Sequence, residues 1–457
     1  MRILVTVTVL LGLVGCSATA FAALESKPGD PYFSNFQPVK APHYSSSLLK
    51  KGDRLAICGD SITEQRMYSR LIEDYLTMCA PQMDVSVRQY GWSGEKAWQF
   101  LGRMTNDCLR FDPTIATTCY GMNDFEYRPF EDHIGRSYYT NTVGVVDSFK
   151  AHGVRVVLGS PGDISKVPWW QKDPNYTLEK LDLSLCEFRN IDVGIAKKEH
   201  VRFADVFWPM FTGDFTGRQE YGSDYAIPGR DGVHPYWAGH LIMAYAFLSA
   251  MGLPGDIGTF TVDLKHNTIK VSGGHKVVSA EDGAFTIESS RYPFCPCEPA
   301  GMAAASYPVC GQDSVSTNDS IRSGMTLVPF NQKLNRLMLI VKHASAPSYR
   351  VTWGDESVTF SAEQLASGVN LAAEFPENPF NAAFAKVDMA IAEKQAFETK
   401  EIKEMFHGES NPPGATLTAQ SDAVVGKAEE QRDALVASVK AAFVPVTYVL
   451  KVKPAGN

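Results

Sequence analysis

Short apolar runs alternate with longer amphipathic segments between residues 52 and 253, and this alternation constrains the fold more than any other feature of the chain. Each apolar run is bounded by turn-forming residues, which predicts buried strands at residues 54–58, 85–89, 115–119, 154–158 and 201–206. The amphipathic segments predict helices at residues 67–79, 96–109, 134–151, 178–198 and 236–251. Strands and helices in repeated succession indicate an α/β domain with a five-stranded parallel sheet and helices on both faces. Ligand sites in such sheets lie at the carboxyl ends of the strands.

The pattern changes after residue 255. Short alternating segments between about residues 257 and 360 predict an antiparallel β module, a small sandwich. Two amphipathic helices follow at residues 380–407 and 420–442, with the sequence NPPG at residues 411–414 as the break between them. Residues 447–452 alternate as a last strand. The second half is therefore predicted to be β-rich with a helical pair.

The chain has 457 residues, which is more than one core of about 250–300 residues can use. We expect an α/β domain at residues 51–255 and a β-sandwich-like module with two helices at residues 256–457, after an irregular lead-in at residues 23–50. The module is expected to pack against the first domain and support its site without adding chemistry. Three of its histidines are scattered along the sequence and predict no site, namely His275, His343 and His407.

The first 22 residues predict a signal peptide, because Arg2 precedes an apolar stretch at residues 3–14 that is too short to span a membrane. Two processing sites compete. The sequence LVGC resembles a lipobox in which Cys16 would be lipidated, and the sequence AFA places an ordinary cleavage site before Ala23. We slightly favour the ordinary site. Both predict export to the periplasm or beyond the cell, and a lipid anchor at Cys16 in the outer membrane is the one membrane contact expected.

Charge and cysteine content exclude some classes of protein. A formal net charge of −8 argues against a nucleic-acid partner. No CxxC pair and no HExxH sequence occurs, so neither a metal nor another cofactor is predicted. Cys58 and Cys119 lie on predicted core strands and are expected to be buried thiols. Cys295, Cys297 and Cys310 lie in one Pro/Gly-rich segment, in which we expect one disulfide between Cys310 and either of the other two.

Four short blocks fall at predicted strand or helix ends, namely GDSITE at 59–64, GWSG at 91–94, GMND at 121–124 and DGVHP at 231–235. Together they supply the groups that acyl transfer needs. Ser61 is a hydroxyl nucleophile and His234 a base suited to neutral pH. Asp231 could orient the imidazole and stabilise its protonated form. The backbone N–H groups of Ser61 and Gly94 and the amide of Asn123 could form an oxyanion hole.

In this order, the four blocks resemble those of SGNH hydrolases, the GDSL-like lipases and esterases. The resemblance covers about residues 52–253 and implies a flavodoxin-like three-layer fold. It implies a carboxylic ester hydrolase with Ser61 as nucleophile and oxyanion donor. Gly94 and Asn123 would complete the oxyanion hole, although Gly91 competes with Gly94. The last block would give Asp231 and His234. The GxSxG elbow of α/β-hydrolases is absent, which argues against that fold.

The substrate is predicted from export and from aromatic residues in the segments after the fourth and fifth strands, which we expect to be loops. Trp169, Trp170 and Trp208 are the candidate substrate contacts, because flat rings beside polar groups suit the faces of sugars. We therefore expect O-acetyl removal from an acylated carbohydrate, or cleavage of another small ester. Two alternatives remain: a lysophospholipase or thioesterase of the same fold, and a catalytically silent glycan-binding envelope protein.

Overall fold

The computed structural model describes residues 23–296, 320–408 and 422–455. Its first half contains one five-stranded sheet, in which every neighbouring pair is parallel and the order is β2-β1-β3-β4-β5. The strands are β1 (Arg54–Gly59), β2 (Ser86–Gln89), β3 (Ile115–Cys119), β4 (Arg155–Gly159) and β5 (Arg202–Ala204). This is the flavodoxin-like order, and the predicted parallel sheet is confirmed. Its strands are nearly continuous apolar runs because helices cover both faces.

Seven helices belong to this half: α1 (Ser61–Glu64), α2 (Tyr68–Asp74), α3 (Ala97–Asp107), α4 (Asp132–Ala151), α5 (Leu178–Glu199), α6 (Phe207–Tyr221) and α7 (Trp237–Ala250). A π-helical turn at Tyr75–Cys79 continues α2. Helix α7 contacts α2, β4 and β5, while α4 contacts α3, α5 and β4. Almost every residue of α7 is buried, which explains why its sequence is apolar on all sides.

Helix α6 corrects the prediction of a loop after the fifth strand. The strand ends early, at Ala204, because Asp205 accepts the backbone N–H of Trp208 at 3.2 Å and starts the helix. The sequence of α6 did not predict a helix, because aromatic residues, Gly and Pro are spread over all of its faces. Its rings pack with the fully buried Phe33 of the lead-in, so residues 23–50 contribute to the core of the first half.

The described residues of the second half form two sheets, of order β13-β10-β6-β7 and β12-β11-β14-β9-β8. Their strands are β6 (Asp256–Asp263), β7 (Thr268–Val271), β8 (His275–Glu281), β9 (Ala284–Ser289), β10 (Arg336–Lys342), β11 (Ser348–Trp353), β12 (Glu356–Ser361), β13 (Val369–Asn370) and β14 (Val446–Pro454). The short helices are α8 (Ile321–Leu327), α9 (Phe330–Lys333), α10 (Ala362–Ser367) and α11 (Leu371–Glu374). The expectation of an all-antiparallel module is wrong in one place, because β10 runs parallel to β6. The long segment between these two strands permits the crossover that parallel pairing requires.

The predicted helical pair is present as α12 (Asn381–Lys400) and α13 (Asp422–Ala442), and a π-helical turn at Glu401–Phe406 continues α12. The predicted break at residues 411–414 lies outside the described residues. Helix α12 packs against α2 and β2 of the first half as well as against α13. Its apolar stripe is buried as expected, and consists of Phe384, Val387, Ile391, Ile402 and Phe406.

Charged side chains of this helical pair are buried against the first half. Lys394 Nζ lies 3.1 Å from Glu73 and 2.7 Å from Glu398, and it donates to the carbonyl of Val87 at 2.9 Å. Arg432 contacts the same Glu398 at 2.9 Å. Two further ion pairs, Arg88–Glu401 and Arg70–Asp388, cross the same boundary. We call these residues the interface network: Arg70, Glu73, Arg88, Asp388, Lys394, Glu398, Glu401 and Arg432. A buried charge is tolerated where it is paired, as here.

None of the helices in the described part of the chain has the length and apolar character needed to cross a bilayer. Cys58 and Cys119 are buried free thiols, as predicted, and Cys295 is also buried and free. The two other cysteines of that loop, Cys297 and Cys310, lie outside the described residues.

Candidate active site

Ser61 is the first residue of α1 and directly follows β1 at the carboxyl edge of the sheet. The turn is stabilised by Asp60, whose carboxylate accepts the backbone N–H of Ile62 at 3.0 Å. Ser61 is half-buried, and its Oγ lies 2.8 Å from Nε2 of His234. Asp60 itself is fully buried, and this burial raises the pKa of its carboxyl to about 7.

Asp231 holds the imidazole of His234 from the other side. Its Oδ2 lies 2.6 Å from Nδ1 of His234, and its Oδ1 accepts the backbone N–H groups of Val233 and His234, each at 2.9 Å. Partial burial alone would raise the pKa of Asp231. The hydrogen bonds from His234 and Val233 outweigh burial and hold that pKa below its ordinary value. Asp231 is therefore an anion that fixes both the position and the tautomer of the ring.

The loop that carries this pair requires glycine at position 232. Gly232 has a φ of +84°, and a Cβ there would lie 3.1 Å from backbone atoms of Lys166. Its carbonyl accepts the backbone N–H of Ser165 at 3.0 Å. A larger residue would strain the backbone and push away the loop after β4. The short spacing of Asp231 and His234 in the sequence thus becomes a fixed geometry beside Ser61.

The structure separates the two candidate glycines of the second block. Gly91 is buried, and its N–H donates to Oε1 of Gln89 at 2.9 Å. Gly94 is exposed, has a φ of +76°, and no atom lies within 4 Å of where its Cβ would be. The described residues place no hydrogen-bond acceptor on the N–H of Gly94. The geometry therefore favours Gly94 over Gly91 as a free backbone donor.

Asn123 connects the third block to the second. Its Nδ2 donates to the backbone carbonyl of Glu95 at 3.1 Å. The neighbouring Asp124 is buried and accepts the N–H groups of Ala97 at 3.0 Å and Gly121 at 3.1 Å. Burial raises the pKa of Asp124 to about 6, although these hydrogen bonds oppose the rise. Asp124 thus fixes the turn that presents the Asn123 amide.

A buried ion pair beneath the second block was not predicted. Arg103 and Glu95 are both fully buried and contact each other at 2.6 Å, and Arg103 also donates to the carbonyl of Tyr90 at 2.7 Å. A signal was present in the sequence, because Arg103 and Asp107 occupy the same helical stripe as the apolar Phe100 and Met104. Charged residues at core positions indicate a buried ion pair.

The three candidate substrate contacts have different surroundings. Trp169 is 72% exposed, and Trp170 packs edge-on against Tyr127 at a centroid distance of 5.3 Å. Tyr127 follows the GMND block, and its carbonyl accepts Nε2 of Gln171 at 2.7 Å. The pair of tryptophans therefore lies beside the third block. Trp208 is only 7% exposed and packs on α6 against the ring of Phe33, so its proposed contact with substrate is withdrawn.

Comparisons with known proteins agree with this architecture. Residues 57–242 match the GDSL-like lipase/acylhydrolase family. By structure, the chain resembles BT4096, a gut microbial diltiazem-metabolizing enzyme, with a TM-score of 0.68 and 19% identity over 90% of this chain and 99% of the other. At this identity the likeness concerns the fold, and it includes both halves of the chain.

Two other solved structures match only about half of this chain. One is LAE5, an alpha/beta hydrolase enzyme from the metagenome of Lake Arreo, Spain, with a TM-score of 0.37 and 20% identity over 45% of this chain and 98% of that one. The other is Axe2, an acetylxylan esterase from Geobacillus stearothermophilus, with a TM-score of 0.36 and 21% identity over 45% and 96%. No curated protein matches this chain. The family match confirms the resemblance that the four blocks predicted.

Proposed function

We propose that this protein, whose residues 57–242 match the GDSL-like lipase/acylhydrolase family, hydrolyses O-acyl esters through a Ser61-His234-Asp231 triad. O-acetyl esters of carbohydrates are the proposed substrates. One observation carries the proposal: two hydrogen bonds in series, 2.8 Å from Ser61 to His234 and 2.6 Å from His234 to Asp231. This is the arrangement that activates a serine hydroxyl.

In the first step, Ser61 Oγ attacks the carbonyl carbon of the ester while its proton passes to Nε2 of His234. The Asp231 carboxylate accepts a hydrogen bond from the N–H at Nδ1, which keeps the proton on that nitrogen and leaves Nε2 free to accept the proton of Ser61. When His234 becomes positively charged, the adjacent Asp231 anion stabilises it. The protonated imidazole then gives its proton to the alcohol that leaves, and an acyl-Ser61 ester remains.

The tetrahedral intermediate carries a negative oxygen, which needs hydrogen-bond donors that are already oriented. The backbone N–H groups of Ser61 and Gly94 and the amide of Asn123 fill this role in our proposal. In other hydrolases, removal of one such donor costs about 10²–10³ in kcat. Asn123 can spare a donor, because Nδ2 carries two N–H bonds and one of them serves the carbonyl of Glu95.

The acyl-enzyme is cleaved by the reverse use of the same groups. His234 takes a proton from a water molecule, whose oxygen attacks the acyl carbon, and then returns that proton to Ser61 Oγ. The products are a carboxylic acid and the regenerated serine. No cofactor enters this scheme, because the proton and electron pairs are exchanged between ester, water, Ser61 and His234.

Support for a carbohydrate comes from the exposed Trp169 and its partner Trp170, which lie beside the third block. Flat apolar faces with polar neighbours suit sugar rings, and a long acyl chain would need a continuous apolar groove.

We further propose that the protein is exported, on the pattern of residues 2–22 in the sequence. Those residues lie outside the described part of the chain. Loss of palmitate incorporation in Cys16→Ser would identify a lipid anchor, and no incorporation into the parent would exclude one.

The proposal is tested by ester hydrolysis with p-nitrophenyl acetate, acetylated xylan and a long-chain lysophospholipid as parallel substrates. We expect acetate release from the first two, and its loss in Ser61→Ala. Hydrolysis of the lysophospholipid alone would support the proposed triad but would show that the substrate is a lipid and not a carbohydrate. A folded parent protein that cleaves none of the esters would overturn the enzymatic proposal and favour a silent glycan-binding protein.

A further inference from the structure

The loop that carries Gly94 is held in place from the C-terminal module. Lys403 lies in the π-helical turn after α12, and its Nζ donates to Oε1 of Glu64 at 2.6 Å. The other oxygen, Oε2 of Glu64, accepts the backbone N–H of Ser93 at 2.5 Å. The side chains of Lys403 and Glu64 are only 13% and 18% exposed, respectively. Glu64, the last residue of the nucleophile block, therefore joins the C-terminal module to the peptide that precedes Gly94.

A second residue of the same turn region contacts the same loop. The ring of His407 lies 5.3 Å from that of Trp92, and Nε2 of His407 lies 2.9 Å from the Asp107 carboxylate. Lys403 Nζ itself lies 5.7 Å from the centroid of the fully buried Trp92 ring. Lys403 and His407, four residues apart in the chain, therefore both contact Trp92 of the second block.

The first half itself closes a turn around Ser93 and Gly94, because the N–H of Glu95 donates to the carbonyl of Trp92 at 3.1 Å. Glu95 is bound by Arg103, and Gly91 packs against the backbone of α1. Ser93 and Gly94 are exposed, and no atom surrounds the Cβ position of Gly94. In the described part of the chain, the Glu64 carboxylate is the hydrogen-bond partner that fixes the N–H of Ser93. This contact anchors the Trp92–Ser93 peptide at the start of the turn and so limits how far the following Ser93–Gly94 peptide can tilt.

We propose that Lys403 is a positioning residue for ester hydrolysis, which acts through Glu64 to orient the Ser93–Gly94 peptide. This inference rests on the proposed function, because Gly94 matters only as an oxyanion donor. Without the ammonium group, the Glu64 carboxylate keeps rotatable bonds and an exposed side on which water competes for it. A small displacement of a donor matters, since about 1 Å of misplacement can cost on the order of 10²-fold in rate.

The test compares Lys403→Met, the conservative Lys403→Arg and the control Lys400→Met, which alters an exposed lysine of the same helical segment. Kinetics with p-nitrophenyl acetate should show kcat lowered about 10- to 100-fold in Lys403→Met, with KM changed less than about twofold. Lys403→Arg should restore most of the rate. Amide hydrogen exchange supplies a readout without turnover: exchange in a peptide covering residues 91–96 should rise in Lys403→Met and stay unchanged across residues 121–126.

Each outcome decides one of the two proposals. Unchanged exchange in residues 91–96, or faster exchange with unchanged kcat, would overturn the positioning role. A fall in kcat that accompanies an equal loss of folded protein in a melting experiment would also overturn it, because Lys403 would then be structural. A parent enzyme without Ser61-dependent activity would overturn the proposed function instead, and the exchange experiment would still report whether Lys403 holds the loop.

A different observation, in the β module, concerns His343, a histidine for which the sequence predicts no site. Strands β6 and β10 are parallel neighbours, and their ends bring Asp263 beside His343, which has a left-handed φ of +55°. His266, in the turn after β6, reaches the same carboxylate. Nδ1 of each histidine lies 2.9 Å from an oxygen of Asp263, and the donor atoms of all three residues lie within 4.8 Å of one another.

From this convergence we infer that Asp263, His266 and His343 bind a divalent transition-metal ion such as Zn²⁺. Two imidazoles and one carboxylate form a donor set that zinc accepts. In a tetrahedral zinc site, donor atoms about 2.1 Å from the ion are roughly 3.4 Å from each other, which is within the 4.8 Å that spans the donor atoms of these three residues. Both rings are more than half exposed, so the remaining coordination positions face water. Such an ion would join the ends of two strands that are distant in sequence.

Titration of the chelator-treated protein with zinc chloride in a calorimeter tests this site. We expect one ion per chain and at least tenfold weaker binding in both His266→Ala and His343→Ala. The control His133→Ala removes an exposed histidine beside Glu131 and should bind zinc as the parent does. Zinc should also raise the melting temperature of the parent and the control but not of the two variants. No binding to the parent, or equal binding by all four proteins, would overturn the assignment.

Discussion

The catalytic edge of the sheet and the interface network beneath α12 are built in opposite ways. Ser61, Asp231 and His234 are half-exposed, and Asp231 and His234 lie only three residues apart. The network is almost entirely buried, and its partners across the boundary, such as Arg88 and Glu401, lie about 310 residues apart. Chemistry is therefore assembled from short blocks at the ends of strands, whereas the attachment of the C-terminal module depends on contacts between remote parts of the chain.

Substitutions in the two regions should therefore affect different properties of the protein. Removal of a catalytic group leaves an exposed, solvated partner, so the rate falls and the fold survives. Removal of one charge from the network leaves its partners buried and uncompensated, which costs free energy of unfolding. The following experiments test that division, from the largest expected effect to the smallest.

His234→Ala should separate activity from stability most sharply. We expect kcat for p-nitrophenyl acetate to fall about 10⁴–10⁶-fold, because Ser61 loses its base. The melting temperature should stay within about 2 °C of the parent's, since the ring is partly exposed and buries little apolar surface. A large fall in melting temperature would show that the catalytic edge also carries stability, and would remove the contrast between the two regions.

Lys394→Met should have the opposite profile. Glu73 and Glu398 would remain buried with one cation fewer, and we expect a loss of about 3–5 kcal/mol in the free energy of unfolding, measured by urea denaturation. The folded variant should keep a KM close to that of the parent. The control Lys386→Met changes an exposed residue of the same helix and should shift stability by less than about 0.5 kcal/mol. Equal effects of the two substitutions would argue that the network contributes nothing.

The two regions should also respond to pH with opposite signs. Burial raises the pKa of Asp60 to about 7. Between about pH 4 and 7 the folded protein therefore holds a proton that the unfolded chain has lost, and stability falls as the pH rises. Burial alone would raise the pKa of Glu398, but Lys394, Arg432 and Arg88 outweigh it and lower that pKa. The stability from Glu398 is thus present at neutral pH and is lost as the pH falls through its folded pKa.

Denaturation from about pH 2.5 to 8 checks both signs, because the window for Glu398 lies below its unfolded pKa of about 4.5. Relative to Asp60→Asn, the parent should lose stability towards pH 8, by roughly 1.4 kcal/mol for each unit between the unfolded and folded pKa values. Relative to Glu398→Gln, the parent should lose stability below about pH 4.5, as the pH falls through the folded pKa of Glu398. Parallel curves for the parent and Asp60→Asn would mean that Asp60 is solvated in the folded protein.

Trp169→Ala should give the smallest effect. We expect KM for acetylated xylan to rise about three- to tenfold, which corresponds to the loss of one aromatic contact, with kinetics on p-nitrophenyl acetate unchanged. Trp208→Phe is the matched control, because Trp208 is buried on α6 and should leave both KM values unchanged. An equal change on both substrates would place Trp169 outside the carbohydrate contact.

The sequence predicted those parts of the molecule that are encoded by local pattern. All five parallel strands and the helices α2, α3, α4, α5 and α7 follow from periodicity, and the four blocks follow from their positions at strand ends. Helix α6 was not predicted, because its aromatic residues are distributed so that the helix has no continuous polar face. The parallel pairing of β6 and β10 and the contact of Lys403 with Glu64 could not be predicted, since neither spacing nor composition reveals which distant residues become neighbours.

The place of β14 in its sheet has a consequence for how the protein matures. This strand follows α13 in the chain, yet it lies between β9 and β11 and is hydrogen-bonded to both. Until residues 446–454 have been synthesised, β9 and β11 are separate edges with unpaired backbone groups. The sheet β12-β11-β14-β9-β8 therefore forms only after residues 446–454 are available, although its four other strands all precede them in the chain.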